Sequence, residues 1–191
     1  DELTNDSDYD REYQIIYHSN FGSPILEEGA KFVAPVKEIS PFNNYAKKGL
    51  KDWQTYLAPT RNFDEMVFNL VPYADKDGKT TTMLHNKAAN KGIAVSYDTK
   101  QLPVLTLWKN TDTLKQGYVT GIEPGTSYAY PRQFEKEQGR VKTLSPSARQ
   151  AFDLEYRVMT TADEVTTVQK EIDTIAAGQT TKLINKPMRK E

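Results

Sequence analysis

Val67-Phe68-Asn69-Leu70-Val71 and Thr80-Thr81-Thr82-Met83-Leu84, separated by a stretch that includes Asp75-Lys76-Asp77-Gly78, decide the fold class of this chain. Both flanking runs are short and rich in β-branched and aromatic residues, which suit a pleated, half-buried strand. The Asp-Gly pair tolerates the positive φ of a tight turn, so the segment predicts a β-hairpin.

Outward from it the same kind of run recurs at residues 13–17, 31–39, 93–97, 104–108, 117–122 and 152–159. In the last of these, Phe152, Leu154, Tyr156 and Val158 alternate with Asp153, Glu155 and Arg157, which predicts one buried and one wet face. Many short strands joined by turns and long connections predict an all-β, antiparallel β-sandwich. Thr161 and Glu164 form a capping-box signature ahead of Val165, Val168, Ile172 and Ile175 at helical spacing, so a C-terminal helix should follow the sheets. Residues 40–63 hold Pro41, Gly49 and Pro59 among scattered aromatics and read as a long excursion. The expected organisation is a polar leader over 1–12, truncated at its start, a sandwich over 13–160, a helix over 161–178 and a frayed polar tail over 179–191.

Charge narrows the partners. Lys and Arg number 25 against 26 Asp and Glu, so no net field recruits nucleic acid or an anionic membrane. The chain has no cysteine and only two histidines, which removes disulfides, thiolate chemistry and an all-imidazole zinc site, and no metal is expected. No apolar run approaches the ~18 residues of a membrane span. Localisation stays open between cytoplasm and periplasm.

Four segments could carry chemistry. Tyr17-His18-Ser19-Asn20-Phe21-Gly22 places an imidazole and an amide where a strand ends, and imidazole is best matched to proton transfer near neutral pH. A histidine bonded to a loop carbonyl is the plainer account. Gly121-Ile122-Glu123-Pro124-Gly125 sets a carboxylate after an apolar strand, where partial burial would raise its pKa toward that of a base. A solvated rim carboxylate would look the same. Gln101 to Lys109 ends in Trp108-Lys109, an indole beside an amine, as in sites where a sugar ring packs on an aromatic face. An interior tryptophan with a surface lysine explains it equally. Asp64 and Glu65 open a strand, and alternation sends them to opposite faces. His85, among polar residues, reads as a surface side chain.

The order of these segments resembles the C-terminal half of the aldose 1-epimerase, galactose-mutarotase-like family, especially its uncharacterised aldose-epimerase-like subgroup. Tyr17 to Gly22 resembles the family's histidine motif, Phe63 to Leu70 its acidic sugar-binding strand, Leu102 to Lys109 the strand closing the site, and Gly121-Ile122-Glu123-Pro124 its catalytic-glutamate motif. Leu144-Ser145-Pro146 resembles its closing turn. The resemblance spans residues 13–159. It implies a galactose-mutarotase-like sandwich, present in part, and an isomerase that interconverts sugar anomers without a cofactor. His18 would be the acid and Glu123 the base. Glu65 stands where better-known members carry a sugar-binding aspartate, and Asn20, Gln101, Trp108 and Lys109 are further candidates for substrate contact. The implied partners are a small-molecule sugar and an N-terminal half of the sandwich, with self-association open. A non-catalytic sugar-binding or sensing protein, or an auxiliary sandwich domain of a polysaccharide-active enzyme, is the alternative.

Overall fold

The structure, a computed structural model, describes residues 1–189. In chain order its elements are β1 (Glu2–Thr4), β2 (Arg11–Tyr13), β3 (Ser19–Phe21), β4 (Lys31–Val33), β5 (Val36–Pro41), a 3-10 turn (Ala46–Gly49), β6 (Met66–Pro72), β7 (Lys79–His85), β8 (Gly92–Asp98), β9 (Val104–Thr111), β10 (Tyr118–Gly125), α1 (Arg132–Glu137), β11 (Lys142–Leu144), β12 (Arg149–Ala151), β13 (Leu154–Met159), α2 (Ala162–Ala176) and β14 (Lys182–Leu183). A six-stranded sheet runs β14-β5-β6-β9-β10-β3 and a four-stranded sheet runs β13-β8-β7-β4. Two short ribbons, β1-β12 and β11-β2, complete the strands.

Period-2 alternation builds the core between the sheets. Ile39, Phe68, Leu70, Leu105, Leu107 and Ile122 of the larger sheet meet Phe32, Leu84, Ile93, Val95 and Tyr97 of the smaller, all buried in one cluster. Burying each such side chain stabilises the fold by ~1.5–3 kcal/mol before chain entropy is counted. The chain is therefore the all-β sandwich that the strand pattern predicts, with a C-terminal helix.

The expected hairpin at Asp75-Gly78 is not one. Gly78 does adopt φ +91°, and its amide donates to the Asp75 carbonyl. But β6 pairs with β5 and β9, whereas β7 pairs with β4 and β8, so the turn carries the chain from one sheet to the other. The true hairpins are β7-β8 and β9-β10, paired over seven and eight residues.

The capping box of α2 is present, with the Thr161 side chain accepting from the Glu164 amide. Val165, Val168 and Ile172 bury against Met83, Ala94 and Met159 on the outer face of the smaller sheet. On β13 the expected burial is reversed in part. Arg157, on the polar face, lies under α2 in an ion pair with Glu171 at 2.7 Å. Tyr156 and Val158, on the apolar face, are 46% and 66% exposed, because β13 is an edge strand and the short β3 does not cover it. The residues expected as a leader include β1, paired with β12, and the Asp1 amino group donates to the Phe152 carbonyl. In the expected tail β14 adds a parallel strand to β5, and residues 190 and 191 lie outside those described.

The excursion after β5 folds back over the core. Leu50, Trp53 and Tyr56 are buried, and the Phe32 amide donates to the Gln54 carbonyl. Its first residues, Phe42 and Asn43, reach the outer face of the larger sheet.

Candidate functional site

The outer face of the six-stranded sheet carries a cleft of about 340 Å³ lined by His18, Phe42, Asn43, Glu65, Val67, Thr106, Trp108, Glu123 and Ala129. Strand register explains the set. Glu123 of β10 stands opposite Thr106 of β9, and Gly121 stands opposite Trp108 on one side and Asn20 on the other. Trp108 in turn faces Val67 of β6. Ile122, Leu107 and Phe68, at the intervening positions, point into the core, so this second set must point outward.

Glu123 is the most enclosed acid of the cleft. Its side chain is 3% exposed, and the His18 Nε2, from a side chain 55% exposed, approaches Oε1 at 3.1 Å. The approach falls outside hydrogen-bonding geometry, which leaves Oε1 an ion-pair contact without a hydrogen-bond partner among the described residues. Burial pushes the Glu123 carboxyl above the usual glutamate value, the His18 charge pulls it down, and Glu65 pushes it up. Burial prevails because desolvating a carboxylate costs more than one exposed partner returns.

A second acid positions the aromatic wall. The Trp108 indole Nε1 donates to Glu65 Oε2 at 2.6 Å, and the His18 ring packs edge-on to Trp108 with centroids 5.8 Å apart. The three groups can meet above Gly121 because that residue has no side chain. A Cβ there would lie 2.3 Å from Glu123 Oε1.

Beyond β10 the chain crosses the sheet as a strap. Tyr128 donates its hydroxyl to the Leu70 carbonyl, and Tyr130 stacks on Phe42 with centroids 4.3 Å apart. Fully buried Glu135 anchors the strap by pairing with Arg140 at 2.6 Å and accepting from the Tyr128 amide. Breaking such a pair typically costs ~3–5 kcal/mol, so the wall of the cleft that holds Ala129 is firmly set.

Comparison with known proteins adds to this geometry. A family profile described as "Domain of unknown function (DUF4432)" matches residues 1–158. The chain belongs to the DUF4432 family. A crystal structure titled "putative aldose 1-epimerase", from Klebsiella pneumoniae, is 57% identical to this chain and superposes with a TM-score of 0.98. It covers 100% of this chain, which spans 50% of that one. The DUF4432 chain therefore has the aldose-epimerase-like sandwich. No curated protein matches.

The DUF4432 fold brings four of the seven residues singled out in the sequence into one cleft: His18, Glu65, Trp108 and Glu123. His18 and Glu123 converge to 3.1 Å. Asn20 shares the face by register but lies outside the lining, exposed on the edge strand. Lys109 is on the wrong face. Its ammonium is buried in the core, donating to the Trp53 and Thr55 carbonyls and lying 4.5 Å from the Tyr56 ring centroid. Burial lowers its pKa to about 8, and Asp52 opposes that. Adjacent residues of a strand cannot both face the cleft, and Trp108 holds the outer position. Gln101 is also elsewhere, tying its turn to Asp153 through two hydrogen bonds of 2.8 and 2.9 Å. His85 is buried rather than exposed, with Nδ1 2.7 Å from the Asn86 carbonyl. Sequence reasoning missed Thr106, Phe42 and Asn43. Thr106 had a signal, since it is two residues before Trp108 and so shares its face.

Proposed function

We propose that this chain forms the catalytic half of an aldose 1-epimerase-like isomerase that interconverts the anomers of a sugar by acid and base ring opening. The observation that carries the reading is the contact between His18 and buried Glu123 in a cleft walled by Trp108. Glu123 takes the proton of the anomeric hydroxyl, the C1–O1 bond becomes a carbonyl, and the bond from C1 to the ring oxygen breaks. His18 gives its proton to that departing oxygen. Rotation about C1–C2 presents either carbonyl face, and ring closure returns both protons to their donors. The two oxygens share one carbon, so an acid and a base held next to each other serve both. Burial keeps Glu123 basic enough to act, the purpose that raised carboxyl pKa values serve in general base catalysis.

Trp108 offers a ring face for the apolar side of a pyranose, and Glu65 holds its indole in place. Asn20, opposite Gly121 on the edge strand, would touch a sugar that overhangs the cleft. The name of the Klebsiella pneumoniae structure supports the same class of reaction. The uncovered apolar face of β13 and the free edge of β3 lie together, with Ser19 Oγ 2.6 Å from the Tyr156 hydroxyl. We assign that side to an N-terminal half of a longer sandwich, whose strands would cover both edges.

The test is two-dimensional exchange NMR of a panel of aldoses with the intact protein, its Glu123→Gln variant, and sugar binding measured separately. Exchange should fall at least ~100-fold in the variant while affinity changes much less. Exchange at the wild-type rate in the variant refutes the assignment. Binding without exchange in the wild type would make the protein a sugar sensor.

A further inference from the structure

Four buried polar atoms without a hydrogen-bond partner among the described residues stand in one row: Glu123 Oε1, Thr106 Oγ1, Asn69 Oδ1 and Ser40 Oγ. Register places them there, since Glu123 pairs with Thr106, Thr106 with Asn69 and Asn69 with Ser40, on the adjacent strands β10, β9, β6 and β5. Each residue is no more than 3% exposed. Buried polar groups are nearly always satisfied, and an orphaned one costs ~1–3 kcal/mol, so a row of four calls for a cause.

The chemistry of the row specifies what would satisfy it. The Tyr130 hydroxyl donates to the Phe42 carbonyl, so it can meet the Asn69 side chain only as an acceptor from Nδ2. That fixes the amide with Oδ1 as the free group. The row thus presents a carboxylate oxygen, an amide oxygen and two hydroxyls, and its stronger acceptors want donors. Tyr130, Phe42 and Tyr128 sit over the far part of the face, with Val104 and Phe134 in the same cluster. The near part, Glu123 and Thr106, lines the open cleft. A sugar hydroxyl, which both donates and accepts, is the ligand group that suits this end of the row.

Sheet order then says which hydroxyl. The larger sheet runs β9-β10-β3, so His18, which immediately precedes β3, approaches Glu123 from one side and Thr106 flanks it on the other. The anomeric carbon has two ring neighbours, the ring oxygen and the second carbon. If the ring oxygen faces His18, the second carbon faces β9, one strand spacing of about 4.8 Å away.

We infer that Thr106 is a specificity-determining residue that hydrogen-bonds the hydroxyl on the second carbon of the sugar. The inference rests on the isomerase reading for the orientation of the ring. It makes the site selective for aldoses over their 2-deoxy analogues and gives Thr106 no part in moving the reacting protons.

The experiment compares wild type, Thr106→Val and Thr106→Ser of the intact protein on an aldohexose and on its 2-, 3- and 4-deoxy analogues, by exchange NMR and by calorimetric binding. Valine keeps the branched shape, and serine keeps the hydroxyl should valine perturb the fold. Thr106→Val should raise KM and Kd for the parent sugar about tenfold and leave kcat within about twofold, the pattern of a ground-state contact. The wild type should show a similar loss for the 2-deoxy sugar, with no further loss when the two changes are combined, and Thr106→Ser should recover most of the affinity. Equal losses on every sugar, or coupling only to the 3- or 4-deoxy analogue, overturn the inference while leaving the isomerase reading intact. Binding that couples Thr106 to the 2-deoxy position in a protein without exchange would overturn the isomerase reading and keep Thr106.

Discussion

Gly121→Ala perturbs the proposed base without touching a charge. The strand can accept alanine there, because the φ of Gly121 lies outside the left-handed region and β-branched and aromatic neighbours already hold the pleat. The new Cβ, however, would lie 2.3 Å from Glu123 Oε1, and ordinary contact begins near 3.4 Å. The carboxylate must therefore retreat by about 1 Å, and it can, because it is the end of a side chain rather than backbone. A misplacement of that size typically costs ~100-fold in rate, which corresponds to about 2.7 kcal/mol of barrier. Stability should change by less than ~1 kcal/mol, since alanine restricts the unfolded chain while the displaced carboxylate gives a little back. Exchange NMR would read the rate and urea denaturation the stability, with a crystal structure of the variant locating the carboxylate. If Glu123 is displaced and exchange stays within about threefold of wild type, the position of that carboxylate does not govern the reaction and the reasoning fails.

Glu123→Gln should also make the protein more stable at neutral pH. The folded pKa of Glu123 lies above its unfolded value, so its favourable contribution is in force below the unfolded pKa and is lost as pH rises through the folded one. The stability gap between variant and wild type should thus open as pH rises above 4.5 and close below it; a gap that widens in acid contradicts the burial argument. Glu65→Gln should loosen Trp108, lower kcat/KM about tenfold by weakening a charge-assisted bond, and move the acid limb of the pH–rate profile to lower pH, because Glu65 raises the Glu123 pKa. Movement of that limb to higher pH would refute the electrostatic part. For Lys109, whose folded pKa of about 8 lies below the ordinary lysine value of 10.5, the unfolded chain binds more protons between those values, so stability should rise with pH there. Relative to Lys109→Met, the wild type should gain about 2 kcal/mol between pH 8 and 9.5, read from urea midpoints, and a flat difference would show that the ammonium is better solvated than its burial implies.

Local chemistry made much of this protein legible. The capping box at Thr161 and Glu164, the aliphatic stripe of α2 and the alternation of the central strands are short-range patterns, and each reports an element directly. Residue chemistry offered His18, Glu123 and Trp108 only as candidates beside plainer accounts, and the resemblance to the aldose 1-epimerase family is what added Glu65 and set the four together. Alternation alone could have excluded Lys109 and included Thr106, since one is the immediate neighbour of Trp108 and the other shares its parity. Tertiary structure decided the rest. Asp75-Gly78 turns the chain as its sequence says, but whether the strand after a turn joins the same sheet depends on which other strands compete for its edge, and β8 and β4 take β7. Likewise the contact between His18 and Glu123, residues more than a hundred positions apart, exists because β3 docks on β10 with Asn20 opposite Gly121. No short window of sequence carries that register: it is set by the apolar faces of two sheets closing on a common core, and a slip of one residue would turn Glu123 inward and close the site.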